Sequence, residues 1–266
     1  MKPGLSLSWI AALLALAVPA RAEPDWSGTW YRESGTFYYT APDAPIEEGS
    51  PPLDDPRWHP PYTPEFEAIY QANLKRIAEG LYPDPVTVCG TPAGWPRMLV
   101  TPDGYEFVVR PEQTWILSEN GPNIVRIYTD GRDHPPADEM WNTYTGHSVG
   151  YWEGDKLHFD TIGLNGVGQV ILGRQGVVMS DQLRVTTTIE QIEDGRLMVS
   201  LVLEDPVALT RPFPVRILFS RSPDGTNMWD YACAENNRNP VDESGWTLTL
   251  DTDGNVIDLD VPDGGE

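Results

Sequence analysis

The sequence predicts a mainly β, single-domain protein whose strands form an antiparallel meander, closed or curled into a barrel. Three observations carry this. Between residues 105 and 233, short runs alternate apolar and polar residues at the period of a half-buried strand. Turn tripeptides separate the runs: Pro102-Asp103-Gly104, Glu119-Asn120-Gly121, Glu153-Gly154-Asp155, Glu193-Asp194-Gly195 and Pro223-Asp224-Gly225. Helical spacing appears in one stretch alone, ahead of the strands. About eight or nine strands leave two open edges unless the sheet closes on itself.

The elements follow in order. Residues 1–22 read as an export signal, with Lys2 at the start, an apolar run over 5–20 and the small-x-small site Ala20-Arg21-Ala22. The run is too short for a retained membrane helix. A periplasmic or secreted chain beginning near Glu23 is therefore expected. Residues 23–62 carry Trp26, Trp30, Tyr31, Phe37, Tyr38, Tyr39, Trp58 and His59 among prolines and acids, without a sustained period. They read as an extended aromatic arm, anchored to the domain by its rings or capping a ligand pocket.

A helix is expected over 63–79, with Thr63 as cap, Pro64 at the first turn and Gly80 as stop. Phe66, Ile69, Tyr70, Asn73, Leu74 and Ile77 share one face of it, which should lie against the sheet. Strands are expected over 105–110, 114–117, 124–129, 147–152, 156–162, 182–191, 196–203, 215–220 and 227–233, with a last one over 246–250. Residues 251–266 form an acidic tail. No repeat or shift in composition divides residues 63–250, so they count as one barrel-like domain.

Forty acidic residues against eighteen basic ones give a net charge of −22 over 266 residues. Such a chain repels nucleic acid and anionic membrane surfaces, and its charge favours solubility. Cys89 and Cys233 are the two cysteines. In an exported protein they are expected to form one disulfide closing a long loop, worth about 4 kcal/mol in the chain-entropy view. If so, Arg97 lies beside the polar run 235–238.

Chemistry concentrates in residues 126–161, which hold three of the four histidines: His134, His147 and His158. If Gly154-Asp155 is a two-residue turn, Tyr151 faces His158, Val149 faces Asp160 and His147 faces Ile162. Cross-strand partners share a face, so His147, Tyr151, His158 and Asp160 form one face, with Gly150, Trp152, Leu157, Phe159 and Thr161 on the other. Tyr128, Asp130, Arg132 and His134 arrive from the preceding strand end. That company favours an inward face at the barrel mouth. A histidine steadied by a carboxylate suits proton transfer near neutral pH, and an arginine beside it suits an oxyanion or carboxylate. His134, His147 and Asp160 also offer a metal-ligand set, though at no recognised metal spacing. Gly146-His147-Ser148-Val149-Gly150 has the outline of a nucleophile elbow without its strand-turn-helix context. The sequence has neither a phosphate-binding glycine loop nor a dinucleotide fingerprint.

Four segments carry a family resemblance: C-x-x-P-x-G-x-P-R from Cys89, R-I-Y-T-D-G-R-x-H-P from Arg126, G-H-S-x-G-x-W-E-G-D from Gly146 with Asp160-Thr161 following, and Y-x-C-x-E-N from Tyr231. Together they resemble a large family of exported proteins of proteobacteria and acidobacteria, which implies export and no assigned activity. Relatives often carry a further histidine in a P-H-S-like segment after the D-T strand. Here that place is Gly166-Val167-Gly168-Gln169, so any role of the histidine is absent or passes to Gln169 as a binder.

The expected function is a cofactor-free acid-base enzyme, a lyase or isomerase performing elimination or C–C cleavage on a small hydrophobic or aromatic molecule. His147 would be acid or base and Asp160 its orienting partner, with Tyr128 or Tyr151 as second proton donor. Asp130, Arg132, His134 and His158 would bind substrate, and Trp152 would form apolar wall. Two alternatives stand beside it. One is a non-catalytic small-molecule binder of lipocalin-like build; the other is a metal-dependent hydrolase or lyase using His134, His147 and Asp160.

Overall fold

A computed structural model describes residues 24–38, 59–81, 84, 86, 91–121, 123–166, 169–172, 176–223, 226–229, 231, 232, 249, 250, 256 and 257. The signal segment 1–22, Cys89 and Cys233 lie outside the described residues, so the disulfide is not placed.

Nine strands close into a barrel. In chain order they are β1 (Thr29–Tyr38), β2 (Gly104–Val109), β3 (Gln113–Ser118), β4 (Asn123–Tyr128), β5 (His147–Glu153), β6 (Lys156–Ile162), β9 (Arg184–Glu193), β10 (Arg196–Glu204) and β11 (Phe213–Arg221). Two small hairpins lie apart from the barrel, β7 (Val170–Leu172) with β8 (Val177–Val178), and β12 (Thr249–Leu250) with β13 (Val256–Ile257). The order around the barrel is β1-β11-β10-β9-β6-β5-β4-β3-β2, with β1 and β2 paired to close it.

Three expectations change. Part of the aromatic arm is the closing strand: β1 pairs with β11 on one side and β2 on the other. Its alternation was hidden because β1 carries Arg32 on the inward parity beside Trp30, and its register to β11 shifts between Arg32 and Phe37. The meander is also not wholly antiparallel. β4 and β5 run parallel, because the long connection over 129–146 returns the chain before β5 begins. Finally, residues 227–229 form no strand, and Tyr231 makes a single bridge to Asn120.

The interior follows from strand parity. Inward residues such as Phe107, Ile116, Ile127, Leu157, Ile189, Val199 and Ile217 are buried, and their outward neighbours are mostly polar. Trp26 fills one end, meeting Phe107 at 5.4 Å and Trp152 at 5.1 Å between ring centroids. At another place Trp95 reaches inward Phe159 at 5.4 Å, followed by a short 3-10 helix over 97–100 whose Arg97, Met98 and Leu99 are buried. Fully burying side chains of this size stabilises by about 1.5–3 kcal/mol each.

The helix α1 (Pro64–Ala78) forms where the sequence predicts, with Gly80 beyond it at φ +83°, but the Thr63 side chain makes no cap bond and donates instead to Val207 O at 3.0 Å. Its Phe66 and Tyr70 are buried. It packs by the β7–β8 hairpin: Tyr62 Oη donates to Val178 O at 3.0 Å and Asn73 Nδ2 to Gly176 O at 2.8 Å. The buried Asp205 carboxylate ties the turn after β10 to Ser180, accepting from its N–H and its hydroxyl and from the N–H groups of Val207 and Ala208.

Candidate functional site on the outer face

The β5–β6 hairpin adopts the anticipated register, with His147 opposite Ile162, Val149 opposite Asp160, Tyr151 opposite His158 and Glu153 opposite Lys156. Strand parity then sets two faces. Ser148, Gly150, Trp152, Leu157, Phe159 and Thr161 turn inward, where the Ser148 and Thr161 hydroxyls bond each other at 2.8 Å. His147, Tyr151, His158 and Asp160 turn outward. The polar face is therefore a groove on the outside of the barrel, not a lumen site, because the lumen is already filled by the large apolar side chains above. Trp152 belongs to that core, against Trp26, and is not ligand wall.

The loop after β4 places His134 between His147 and Asp160. His134 Nε2 lies 2.9 Å from Asp160 Oδ2, and His134 Nδ1 lies 2.8 Å from His147 Nδ1. A carboxylate accepts, so His134 donates from Nε2, and in its neutral form it keeps a lone pair on Nδ1. That lone pair receives the Nδ1–H of His147. His147 is then a neutral imidazole with its lone pair on Nε2. Asp160 also accepts from Arg184 NH2 at 3.0 Å. Burial lowers the pKa of His147 below the ordinary histidine value, and the neighbouring His134 and the Arg132 charge oppose its protonation further, while Asp160 works in the opposite direction.

Around His147 the aromatic and cationic groups are stacked. Tyr128 presents its ring face to His147, with centroids 5.4 Å apart and planes at 26°, so it offers no hydroxyl to that imidazole through this contact. Arg132 lies 4.0 Å over the Tyr128 ring. Arg132 is also bonded to Asp130 through Nε at 2.9 Å and NH2 at 2.6 Å. The Arg132 hydrogen bonds hold the Asp130 pKa below the usual carboxylate value. This pair supports the loop before it binds anything else.

Tyr151 and His158 form a second cluster. Their rings stack at 5.2 Å and 19°, and Tyr151 is 61% exposed. Thr188 on β9 hydrogen-bonds His158 Nδ1 at 3.0 Å. His158 Nε2 lies 3.3 Å from Glu153 Oε2, within ion-pair range but without a hydrogen bond. Tyr151 is four residues from His147 along one strand, about 13 Å. It is therefore not a proton donor at His147. An open pocket of about 300 Å³ joins the clusters, lined by Arg132, Val149, Gly150, Tyr151, His158, Phe159, Asp160, Arg184 and Thr186. His147 stands outside this wall.

Sequence reasoning missed Arg184, Thr186 and Thr188. Their signal is the alternation Arg184-x-Thr186-x-Thr188-x-Glu190, the outward row of β9. Its link to β6 was not visible, because the β7–β8 hairpin separates the two strands in sequence while they pair in space, Asp160 opposite Thr186 and His158 opposite Thr188. The metal reading is overturned by geometry: His134 spends both ring nitrogens on the other two residues, so the three ligand atoms do not converge on one point. Among the described residues no group of three His, Cys, Asp or Glu is arranged to hold a metal ion. Ser148 is buried and bonded inside the barrel, so the elbow outline carries no nucleophile. Gln169 is buried and clamps carbonyls, donating to Tyr144 O at 3.0 Å and Trp95 O at 3.3 Å, so it is not a ligand contact. Arg97 is paired with Asp84.

No protein-family model matches the chain, and no curated protein matches it. Among solved structures it is similar to the crystal structure of a secretary abundant heat soluble (SAHS) protein from Ramazzottius varieornatus, at 9% identity and a TM-score of 0.32, covering 74% of this chain and 95% of that one. The barrel stands on its own strand pairing.

Proposed function

We propose that this protein is a periplasmic or secreted small-molecule binder, and that its ligand, a small hydrophobic or aromatic compound carrying a polar group, sits in the groove on the outer face of β5, β6 and β9. The observation that carries this is the composition of the pocket wall. A flat Tyr151/His158 pair stands beside Asp160 and the guanidiniums of Arg132 and Arg184. The ring pair suits an aromatic face, and the charged groups orient a hydroxyl or carboxyl. The N-terminal segment and the acidic charge support export, as does the resemblance to exported bacterial proteins.

The test is equilibrium binding of a panel of phenols, terpenoid alcohols and monosaccharides. A phenol is expected to bind, and Tyr151→Ala and Arg184→Ala should each weaken it by about tenfold. Failure of the whole panel, or unchanged affinity in both variants, removes the reading.

A second reading, acid-base catalysis at the same groove, has one observation in its favour. The Asp160-His134-His147 chain leaves a lone pair on His147 Nε2, and burial keeps the pKa of that imidazole below the ordinary histidine value. It requires turnover of some panel compound that His147→Ala abolishes while binding persists. Binding without turnover leaves the protein a carrier.

A further inference from the structure

The connection over 129–146 runs from β4 to β5, and its first part carries Arg132 to the groove wall. Among the described residues, no backbone hydrogen bond ties residues 130–135 to a strand. Their ties are side chains. Arg132 lies over Tyr128 and bonds Asp130 of the same loop, whereas His134 reaches across to β5 and β6 through His147 and Asp160. With its side chain 16% exposed, His134 is the group that fastens this stretch over the barrel wall.

The contact between the two histidines is nitrogen to nitrogen, 2.8 Å between their Nδ1 atoms, and it needs one N–H and one lone pair. Two neutral imidazoles meet that need, and so does one imidazolium donating to one neutral ring. Two imidazoliums do not: each Nδ1 then carries a hydrogen, and like charges face each other at hydrogen-bond distance. The surroundings do not offset this. Asp160 of β6 is, among the described residues, the one carboxylate bonded to the pair, and it is shared with Arg184 of β9. Arg132 adds positive charge beside His147, Asp130 is held by Arg132, Asp133 is exposed, and Tyr128 of β4 offers only its ring face.

We infer that the His134–His147 pair is an acid-sensitive latch on the outer groove: a second proton on the pair separates the rings, frees residues 130–135 from the barrel wall, withdraws Arg132 from the groove and releases the ligand. This rests on the groove being the binding site. Burial keeps His147 below the ordinary histidine value, so the second proton arrives only in acid. Above that pH the contact is intact and the ligand is held. Below it the loop opens while the apolar core, which contains neither imidazole, stays packed.

The experiment titrates the whole protein from about pH 7.5 to about pH 5. NMR follows the imidazole nitrogens and the loop amides without ligand, and phenol affinity is measured at both ends. The amides of residues 130–134 should shift with the second protonation of the pair, not the first. Phenol, uncharged throughout because its pKa is about 10, should bind about tenfold more weakly at the acidic end. In His147→Asn the amide still donates toward His134 but takes no proton, so the loop step should vanish and the acid weakening shrink to what His158 on the groove wall contributes. Wild-type loop amides that stay unchanged through both protonations overturn the inference, as does a loop step of equal size in His147→Asn or a phenol affinity equal at both ends. Absence of phenol binding at the neutral end instead removes the binder reading, and the release with it.

Discussion

His147 and Asp160 do not touch; His134 stands between them, and this decides how the site responds to protons. Asp160 reaches His147 only as a charge, raising a pKa that burial, His134 and Arg132 lower. In an NMR titration His147 should therefore protonate below the ordinary value of about 6.5. Asp160→Asn should move the midpoint lower still. Because the folded protein resists protonating His147 more than the unfolded chain does, this group's stabilising contribution is complete above pH ~6.5 and is lost as pH falls toward the folded midpoint. A second prediction concerns Arg97. Asp84→Asn leaves its guanidinium buried without a carboxylate and should cost about 3–5 kcal/mol in denaturant unfolding, as breaking one side of a buried ion pair does. The residues in this site were legible as chemical types, since histidines, acids and arginines cluster in the sequence. Their roles were not, because which imidazole lies between the other two depends on a loop's path in space.

At the scale of elements, the β5–β6 hairpin was the most readable part of the chain. A two-residue turn fixes register and register fixes parity, so residues 147–162 had their partners and faces determined locally. Gly150 shows how tightly this hairpin is closed: a Cβ there would lie 2.2 Å from His158 O and 2.6 Å from Phe159 Cβ. Gly150→Ala should force the strands apart, lowering stability by about 1–3 kcal/mol in chemical unfolding and displacing the Tyr151/His158 pair enough to weaken phenol binding. The outward row of β9 has just as clear an alternation, yet its place beside β6 is a long-range pairing across an excursion and left no local mark. The helix α1 was legible from its caps and stripe; that it meets the β7–β8 hairpin was not.

For the whole molecule, closure is the governing fact. β1 supplies the last pairing on both sides, and Trp26 and Trp30 bring the buried rings that accompany it. Deleting residues 24–38 should expose the edges of β2 and β11 and yield a chain that aggregates or remains unfolded by circular dichroism and size-exclusion chromatography. A monomeric, cooperatively unfolding product would contradict this account of closure. The sequence by itself determined the mainly β class, the helix, most strand positions and the two faces of the central hairpin, because each follows from spacing and turn chemistry over a few residues. Tertiary structure alone decided that β1 completes the barrel, that β4 and β5 run parallel, and that the polar face looks outward. That last choice depends on competition for the interior: the lumen holds a fixed volume, the large apolar side chains of all nine strands and Trp26 and Trp95 fill it, and the histidines and acids are left on the outer face.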